Sequence, residues 1–317
     1  GNQEQNEERD FMVDFKKIIF EIQNIAKRLR VKHCYIYGGT VRDLLRRNYS
    51  RDISIIVERE HFKNIVKLLS QKFKDKKGHS IRSILGLGSK LFKTSIFGIL
   101  VRIREVSRRT DTSSVRSLLE DEHKNCDFTV NSMFIDLMTL NHASFENGFD
   151  FHDFCGAMRD LDTGILKCTD SIERTFDRKF GRFMRLIRIS EENGFKIDKR
   201  IVKYILEQSY HNKWSYFDLI KHDHEFYRMI SSDYFADIIN VFFKLQLNML
   251  IDDRYNQNAH AFIFNKLKHM PLFDSRSRDK EIYMRQDYFW EVLVEATNKR
   301  MNVECERWRP IVYGIHN

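Results

Sequence analysis

Proline and cysteine are both scarce in this sequence. Two prolines and 26 phenylalanines among 317 residues favour a largely helical chain with few rigid turns. The five cysteines form no CxxC pair, and their odd, scattered set argues against a disulfide framework or a structural zinc site. They indicate a reducing compartment, so we expect an intracellular protein, with mitochondrial, nuclear and cytoplasmic locations all open.

Long apolar runs are also missing, and none reaches the roughly 18 residues that a membrane span needs, so we expect no membrane partner. The first ten residues are polar and acidic, do not resemble a secretory signal, and are expected to form a flexible lead-in. Lysine and arginine number 54 against 45 aspartate and glutamate, a net charge of +9. This balance favours polyanionic partners such as RNA.

The hydrophobic pattern divides the chain into a mixed part and a helical part. Residues 11–31 and 61–73 have helical periodicity, whereas 52–57 and 96–106 read as strands. From about residue 170 onward every apolar pattern is helical. We therefore predict an α+β fold, with a head of mixed sheet and helices over 11–168, an all-helical neck over 169–235 and a helical body over 236–317.

A strand–Gly-Gly–helix pattern marks the first candidate site. Gly38 and Gly39 would let the backbone approach a phosphate closely, although such a turn alone is more often only a tight turn. The strand that follows contains Asp52 and Ser54, which share one face because strand side chains alternate. Enzymes of nucleotidyl transfer place two carboxylates on Mg²⁺ with this spacing.

The segment GGTVRDLLRRNYSRDISIIV resembles the motif GGxVRDxLL…DxDxxV of class II tRNA nucleotidyltransferases (CCA-adding enzymes) and bacterial-type poly(A) polymerases. The resemblance implies a polymerase-beta-like nucleotidyltransferase head, phosphate contacts by Gly38, Gly39 and Arg42, and Mg²⁺-dependent addition of nucleotides to RNA. Ser54 stands where the family has its second acid, which leaves Asp52 as the remaining metal-type ligand.

Two further segments carry the resemblance. CDFTVNSMF at 126–134 resembles the family's RRDFTINAM, which implies that Asp127 and Asn131 face the nucleotide. The two arginines of that motif are replaced here by Asn125 and Cys126. FHDFCGAMRDL at 151–161 resembles the segment that ends the family's head domain, so we expect that fold to be kept.

The family's nucleotide-reading motif, EDxxRxxRxxRF, is similar to residues 178–189. Arg182, Arg185 and Arg188 keep its arginines, whereas Arg178 and Lys179 replace its acidic pair. Reading a base edge needs acceptors as well as donors, and arginine and lysine only donate. The resemblance therefore implies that base discrimination is lost.

The same segment has a cationic pattern of its own. Arg174, Arg178, Arg182 and Arg185 follow at spacings of four, four and three, which predicts one basic face of a helix that contacts RNA phosphates. Arg188 belongs to the same RNA-binding hypothesis. The alternative is a solvated helix paired with nearby glutamates.

Glu105 is a candidate substitute for the missing acid, because the family has an acidic residue on the corresponding strand. The alternative is a solvated glutamate at the edge of the strand.

Three hypotheses follow from this pattern of losses. The favoured one is an inactive relative that binds RNA, tRNA-like or otherwise structured, as a scaffold subunit with protein partners in an RNA-processing or ribonucleoprotein complex, with no cofactor. The second is an active, divergent RNA 3′-nucleotidyltransferase that uses Asp52, with Glu105 as a candidate second acid, and needs Mg²⁺. The third is a protein-interaction subunit without RNA contact.

Overall fold

The computed structural model divides the protein into two compact units, Gly1–Thr163 and Gly164–Asn317. We call them the head unit and the helical unit. The residues that the structure describes are 1–73, 91–106, 114–177, 179–210, 215–221, 223–252, 254, 257–273 and 277–314.

The head unit is built from helices and strands in alternation, with a short 3₁₀ turn at Thr129–Asn131. In chain order they are α1 (Asn2–Arg28), β1 (Cys34–Tyr37), α2 (Gly39–Leu45), β2 (Asp52–Val57), α3 (Arg59–Lys72), β3 (Leu91–Ile96), β4 (Ile99–Glu105), α4 (Val115–His123), β5 (Phe134–Asp136), α5 (Ser144–Asn147) and α6 (Ala157–Thr163).

The five strands form one mixed sheet in the order β3-β4-β2-β1-β5. Only the β2–β4 pair is parallel, and the neighbouring pairs β3–β4, β1–β2 and β1–β5 are antiparallel. This mixed sheet with helices confirms the α+β head predicted from the sequence, and the strand predicted at 52–57 has those bounds.

Alternation along the strands separates two faces of the sheet. The β2 residues Ile53 and Ile55 are fully buried, as are Val101 and Ile103 beside them on β4, and helices α1 and α3 pack against each other on the core. The opposite face is covered at one end by a cluster of buried residues that includes Tyr35 and Leu118. The end of that face that carries Asp52 remains partly accessible.

A β-hairpin replaces the single strand predicted over 96–106. Phe97 and Gly98 both have positive φ, 53° and 76°, and form the turn between β3 and β4. A two-residue turn with both φ values positive matches the twist of a hairpin. A Gly at its second position adopts the positive φ without a steric cost. The Gly in the apolar run was the signal for this turn.

The predicted flexible lead-in of residues 1–10 is helical in the structure, because α1 begins at Asn2. These residues are exposed and polar, but they contain good helix formers and no glycine or proline after Gly1. They extend the amphipathic part of α1, which buries Phe15, Ile18 and Ile22.

The helical unit contains two short parallel strands in addition to its helices. Its elements are β6 (Ile165–Leu166), α7 (Ile172–Phe176), α8 (Gly181–Asn193), β7 (Lys196–Ile197), α9 (Lys199–Tyr210), α10 (Tyr216–Ile220), α11 (Asp223–Ser231), α12 (Phe235–Lys244), α13 (Gln257–Lys268), α14 (Arg278–Asn298) and α15 (Cys305–Tyr313). The predicted helical character is confirmed, whereas a separate neck ending at residue 235 stays a prediction.

Aromatic rings fill the core of the helical unit. Phe289 lies 5.3 Å from Phe235, 6.1 Å from Phe226 and 5.8 Å from Trp308, measured between ring centroids. All four side chains are buried. In the described part of the chain, none of the helices is long and apolar enough to cross a membrane.

Phe289→Ala should lower the free energy of unfolding of the helical unit by about 3–5 kcal/mol, because it removes a buried ring and leaves a cavity. Phe217→Ala is the matched control, since Phe217 is 72% exposed, and we expect it to stay within about 0.5 kcal/mol of wild type. Urea unfolding followed by tryptophan fluorescence measures both. Equal effects of the two changes would contradict this account of the core.

Candidate functional site

The two glycines of the Gly38–Gly39 turn have different roles: Gly38 supplies a backbone conformation and Gly39 leaves room for a neighbouring side chain. Gly38 has φ 69° and ψ −145°, a backbone conformation that side chains with a Cβ rarely adopt. A Cβ at Gly39 would lie 3.1 Å from the guanidinium of Arg42. The turn therefore brings the start of α2 close to the sheet and lets the Arg42 side chain fold back over it.

Thr40 ties this turn to the strand that carries the candidate acid. Its hydroxyl donates to the carbonyl oxygen of Asp52 at 2.9 Å and accepts from the backbone N–H of Ser54 at 3.0 Å. Thr40 was not among the predicted site residues, although its place directly after the Gly-Gly pair was a signal. The contact fixes the turn against the first residues of β2.

Arg42 connects the turn to the second motif. Its guanidinium donates to the Asp43 carboxylate at 3.0 Å and to the side-chain oxygen of Asn131 at 2.8 Å. Asn131 in turn lies 3.5 Å from the carboxylate of Asp127, and both of these residues are buried. The structure thus brings Gly38, Arg42, Asp127 and Asn131 together, in an arrangement whose hydrogen bonds are satisfied within the protein.

Asp52 and Ser54 lie on β2 with the buried Ile53 between them. Asp52 is exposed and Ser54 is half-buried. The Asp52 carboxylate makes no hydrogen bond or ion pair with the described residues; the contacts of Asp52 run through its backbone. An unpaired carboxylate at an accessible strand end is available to a ligand.

The parallel register of β2 and β4 decides which residues neighbour this pair. Asp52 lies beside Leu100 and Ser54 beside Arg102. Residues in register on parallel strands point to the same face, so the side chain next to Ser54 belongs to an arginine. Arg102 was not among the predicted site residues, because only the long-range pairing of β2 with β4 places it beside Ser54.

Glu105 is not brought to Asp52, which corrects the proposed role of this residue as a substitute acid. It pairs in register with Val57, at the other end of β2, and so shares a face with the buried residues. Its carboxylate forms an ion pair with Arg59 at 3.9 Å. The parallel β2–β4 register, together with the two-residue alternation of side chains, places Glu105 on the face opposite to that of Asp52.

The residues present do not fit the family's Mg²⁺ site. Mg²⁺ prefers anionic oxygen ligands, and the donors here are one carboxylate and one hydroxyl, beside a guanidinium. Among the described residues, no group of three or more His, Cys, Asp or Glu side chains could hold a metal ion. A second carboxylate that would complete a two-metal centre is missing from this part of the sheet.

Cys126 occupies a position where the family has an arginine. Burial raises the pKa of its thiol to about 12, with the nearby Asp127 carboxylate adding to the increase, so the side chain is neutral at physiological pH. It packs against a hydrophobic cluster that contains Tyr35 and Phe134. This position therefore contributes packing and no positive charge toward a triphosphate.

The third segment that resembles the family, residues 151–161, is held in the head unit by hydrogen bonds. The Asp153 carboxylate accepts from the backbone N–H groups of Ala157 at 2.9 Å and Met158 at 3.0 Å, at the start of α6. The Thr129 hydroxyl donates to Asp160 at 2.7 Å, which links α6 to the 3₁₀ turn. These contacts hold the Asp127–Asn131 segment in place.

The predicted basic stripe on one helix is wrong, because that segment contains two helices. Helix α7 ends at Phe176 and Asp177 is extended, so Arg174 lies on a different helix from Arg182 and Arg185. The Arg182 guanidinium donates to the carbonyl oxygen of Thr175 at 2.9 Å, a free acceptor at the end of α7. Arg178 lies outside the described residues.

Helix α8 still presents arginines at regular intervals. Arg182, Arg185 and Arg188 are the partly exposed positions of a helix whose intervening residues are buried from Gly181 to Ser190. Arg188 pairs with Glu192 at 3.0 Å. The three arginines therefore lie along one partly exposed strip of the helix, where Arg182 and Arg188 are also bonded within the protein.

A known protein-family model matches most of the head unit and the first residues of the helical unit. Residues 34–167 match the Poly A polymerase head domain. The chain is 28% identical over 176 residues to the CCA-adding enzyme of Lactiplantibacillus plantarum, covering 55% of this chain and 40% of that one. It is 21% identical over 241 residues to the CCA-adding enzyme of Lactobacillus helveticus, covering 76% and 57%. The chain thus spans about half the length of these relatives.

Solved structures share the fold at lower identity. A tRNA-processing enzyme in its apo form is similar with a TM-score of 0.66 and 19% identity, covering 95% of this chain and 74% of that one. A tRNA nucleotidyltransferase complexed with a primer tRNA and an incoming ATP analog has a TM-score of 0.63 and 19% identity, covering 87% and 75%.

Asp153→Asn should destabilise the head unit by about 1 kcal/mol at pH 7, because a charged acceptor at the start of α6 is lost. Burial alone would raise the pKa of Asp153, but the N–H groups of Met158, Ala157 and Cys155 outweigh it and hold the pKa below its usual value. Its contribution is therefore present above about pH 4, the unfolded value, and is lost as the pH falls through the folded pKa.

The difference in unfolding free energy between wild type and Asp153→Asn should accordingly shrink between pH 7 and pH 3, as measured by urea unfolding. Asp162→Asn on the same helix is the control, since Asp162 is exposed. A difference that grows on acidification would show that the Asp153 carboxylate is not stabilised in the folded state.

Proposed function

Because the chain belongs to the class II tRNA nucleotidyltransferase family, we propose that it is a catalytically inactive member that binds RNA as a subunit of an RNA-processing or ribonucleoprotein complex. The single observation that carries this proposal is the β2–β4 register. It puts Arg102 beside Ser54, two residues along β2 from Asp52, at the position where metal-dependent nucleotidyl transfer needs a second acid.

The Arg102 guanidinium cannot coordinate a divalent cation, and its positive charge also repels one. A divalent cation and a guanidinium about 6 Å apart repel by ~5 kcal/mol at an effective dielectric constant of about 20. This repulsion cancels part of the attraction that the single Asp52 carboxylate offers to the ion. The loss of the second acid and the presence of Arg102 therefore act in the same direction.

Binding of RNA is supported by three independent features. The net charge of +9 favours a polyanion, and the partly exposed arginines of α8 can contact phosphates. A solved structure with the same fold is a complex with a primer tRNA. In this proposal the partner is a tRNA-like or other structured RNA, and protein partners complete the assembly.

The second candidate is an active, divergent RNA 3′-nucleotidyltransferase that needs Mg²⁺. The observation that favours it is the Asp52 carboxylate, which is exposed and has no partner among the described residues. In that case a partner protein has to supply another acid that completes the centre.

Nucleotide addition separates the two candidates. We expect no incorporation of labelled CTP or ATP into a tRNA lacking its terminal CCA, or into a generic RNA primer, with either Mg²⁺ or Mn²⁺. Ser54→Asp alone should not restore activity, because Arg102 remains beside it. Ser54→Asp combined with Arg102→Asp is the variant that rebuilds an acidic row, and it reports whether the rest of the fold is competent.

Asp52→Ala is the control for that assay. If the wild type adds nucleotides and Asp52→Ala loses that activity, the protein is an enzyme and the inactive assignment is wrong. Activity that survives in Asp52→Ala indicates a contaminant. Gel-shift of the same RNAs in parallel shows whether an inactive protein still binds them.

Arg185→Gln should weaken binding of a structured RNA about two- to fivefold at 0.1 M salt, because it removes one phosphate contact on α8. The slope of log K against log salt should become less steep by about 0.7–0.9. Arg200→Gln is the matched control in the same unit, since Arg200 is 74% exposed and pairs with Asp198. Fluorescence anisotropy at several salt concentrations measures both, and equal effects would remove α8 from the RNA-binding surface.

A further inference from the structure

A row of three side chains crosses the sheet at the position of the missing acid. Arg102 of β4 is in register with Ser54 of β2 on one side and with Lys93 of β3 on the other. Register partners point to the same face, so a hydroxyl, a guanidinium and an ammonium stand side by side. All three residues are partly exposed on the face that carries Asp52.

Arg102 has no partner for its charge within the described residues. Its Nε is buried and makes no hydrogen bond. A buried donor without an acceptor costs roughly 1–3 kcal/mol, and native proteins rarely leave one. A ligand that draws this guanidinium outward breaks no hydrogen bond of the free protein.

Arg104, which lies on the same face of β4, has partners for its charge among the described residues, unlike Arg102. Arg104 donates to Glu122 at 2.8 Å, and its guanidinium lies 4.8 Å above the ring of Tyr37. Glu122 is 1% exposed, so this pair is internal and structural. Arg104 is therefore neutralised, whereas Arg102, two residues earlier on the strand, keeps its charge available.

We infer that the Ser54–Arg102–Lys93 row is a metal-independent phosphate-binding site. This rests on the proposed function and deepens it, because the position used for metal-bound nucleotide in an active enzyme would hold a phosphate directly. A guanidinium binds a phosphate with two parallel hydrogen bonds, an ammonium adds a point charge, and a serine hydroxyl donates a third bond. The phosphate belongs either to an RNA backbone or to a free nucleoside triphosphate.

The Asp52 carboxylate distinguishes an anion site from a metal site, because removing its charge changes ligand affinity in opposite directions in the two cases. This free carboxylate lies on the same face, two residues before Ser54. In a metal site, removing that charge weakens ligand binding. In an anion site the same change strengthens it, because a repulsive charge is lost.

The test uses the full chain in EDTA, with inorganic tripolyphosphate as the first probe and a labelled single-stranded RNA oligonucleotide as the second. We expect both to bind without Mg²⁺. Arg102→Gln should weaken tripolyphosphate binding about five- to tenfold. Asp52→Asn should strengthen it about two- to fivefold. Arg116→Gln, on α4 of the same unit and 81% exposed, should change neither.

Thermal unfolding of each variant shows whether it is folded, and Lys93→Gln at the rim of the row serves as the second loss variant if Arg102→Gln unfolds. Binding that needs Mg²⁺, or that Asp52→Asn abolishes, would overturn the inference in favour of a metal site. Binding of tripolyphosphate that neither Arg102→Gln nor Lys93→Gln weakens would also overturn it.

The two probes separate this inference from the proposed function. If tripolyphosphate binds through Arg102 and RNA does not bind at all, the site stands with a free triphosphate as its ligand, and the RNA-binding proposal fails. If RNA binds equally to wild type and Arg102→Gln while tripolyphosphate does not bind, RNA is held elsewhere and this site is wrong.

Discussion

The parallel pairing of β2 with β4 is the constraint on which the functional reading of this protein depends. It is the only parallel pair in a sheet whose other pairs are antiparallel. A shift of one residue in this register would exchange the faces of β4 and put Ile103 or Val101 beside Ser54. The alternation of buried and partly exposed residues on both strands specifies this register, because such a shift would move Val101 and Ile103 out of the core.

The head unit preserves the parts of the family's architecture that are structural and alters those that are chemical. The glycine turn, the Arg42–Asn131 bond and the Asp153 cap are all formed, and their polar groups are satisfied within the protein. In the head, the positions that differ from the quoted family motifs are Ser54, Asn125 and Cys126. None of them carries the charge of the motif residue, and the register adds the positive charge of Arg102 beside Ser54. Guanidinium and ammonium groups recognise phosphate without a metal, so one fold can serve more than one kind of phosphate site.

Local errors in the sequence-based view had identifiable physical causes. Helical spacing from Arg174 to Arg185 suggested one continuous helix, but α7 ends at Phe176 and the carbonyl group of Thr175 near its end accepts from the Arg182 side chain. That contact is made between residues seven positions apart and has no signature in periodicity. Glu105 looked suitable by residue type, yet strand alternation and its ion pair with Arg59 turn it toward the covered face.

The sequence alone determined the mixed head and helical remainder, the glycine turn, the strand of Asp52 and the loss of the second acid. These depend on periodicity, on backbone freedom at glycine and on residue types at fixed short spacings, all of which are local properties. Only the tertiary structure decided which residue stands beside Ser54, because Arg102 is 48 positions away and reaches it through a long-range hydrogen-bonded register. The charge of Arg102 acts on the groups near it in space, and the pairing of β2 with β4 decides which groups those are.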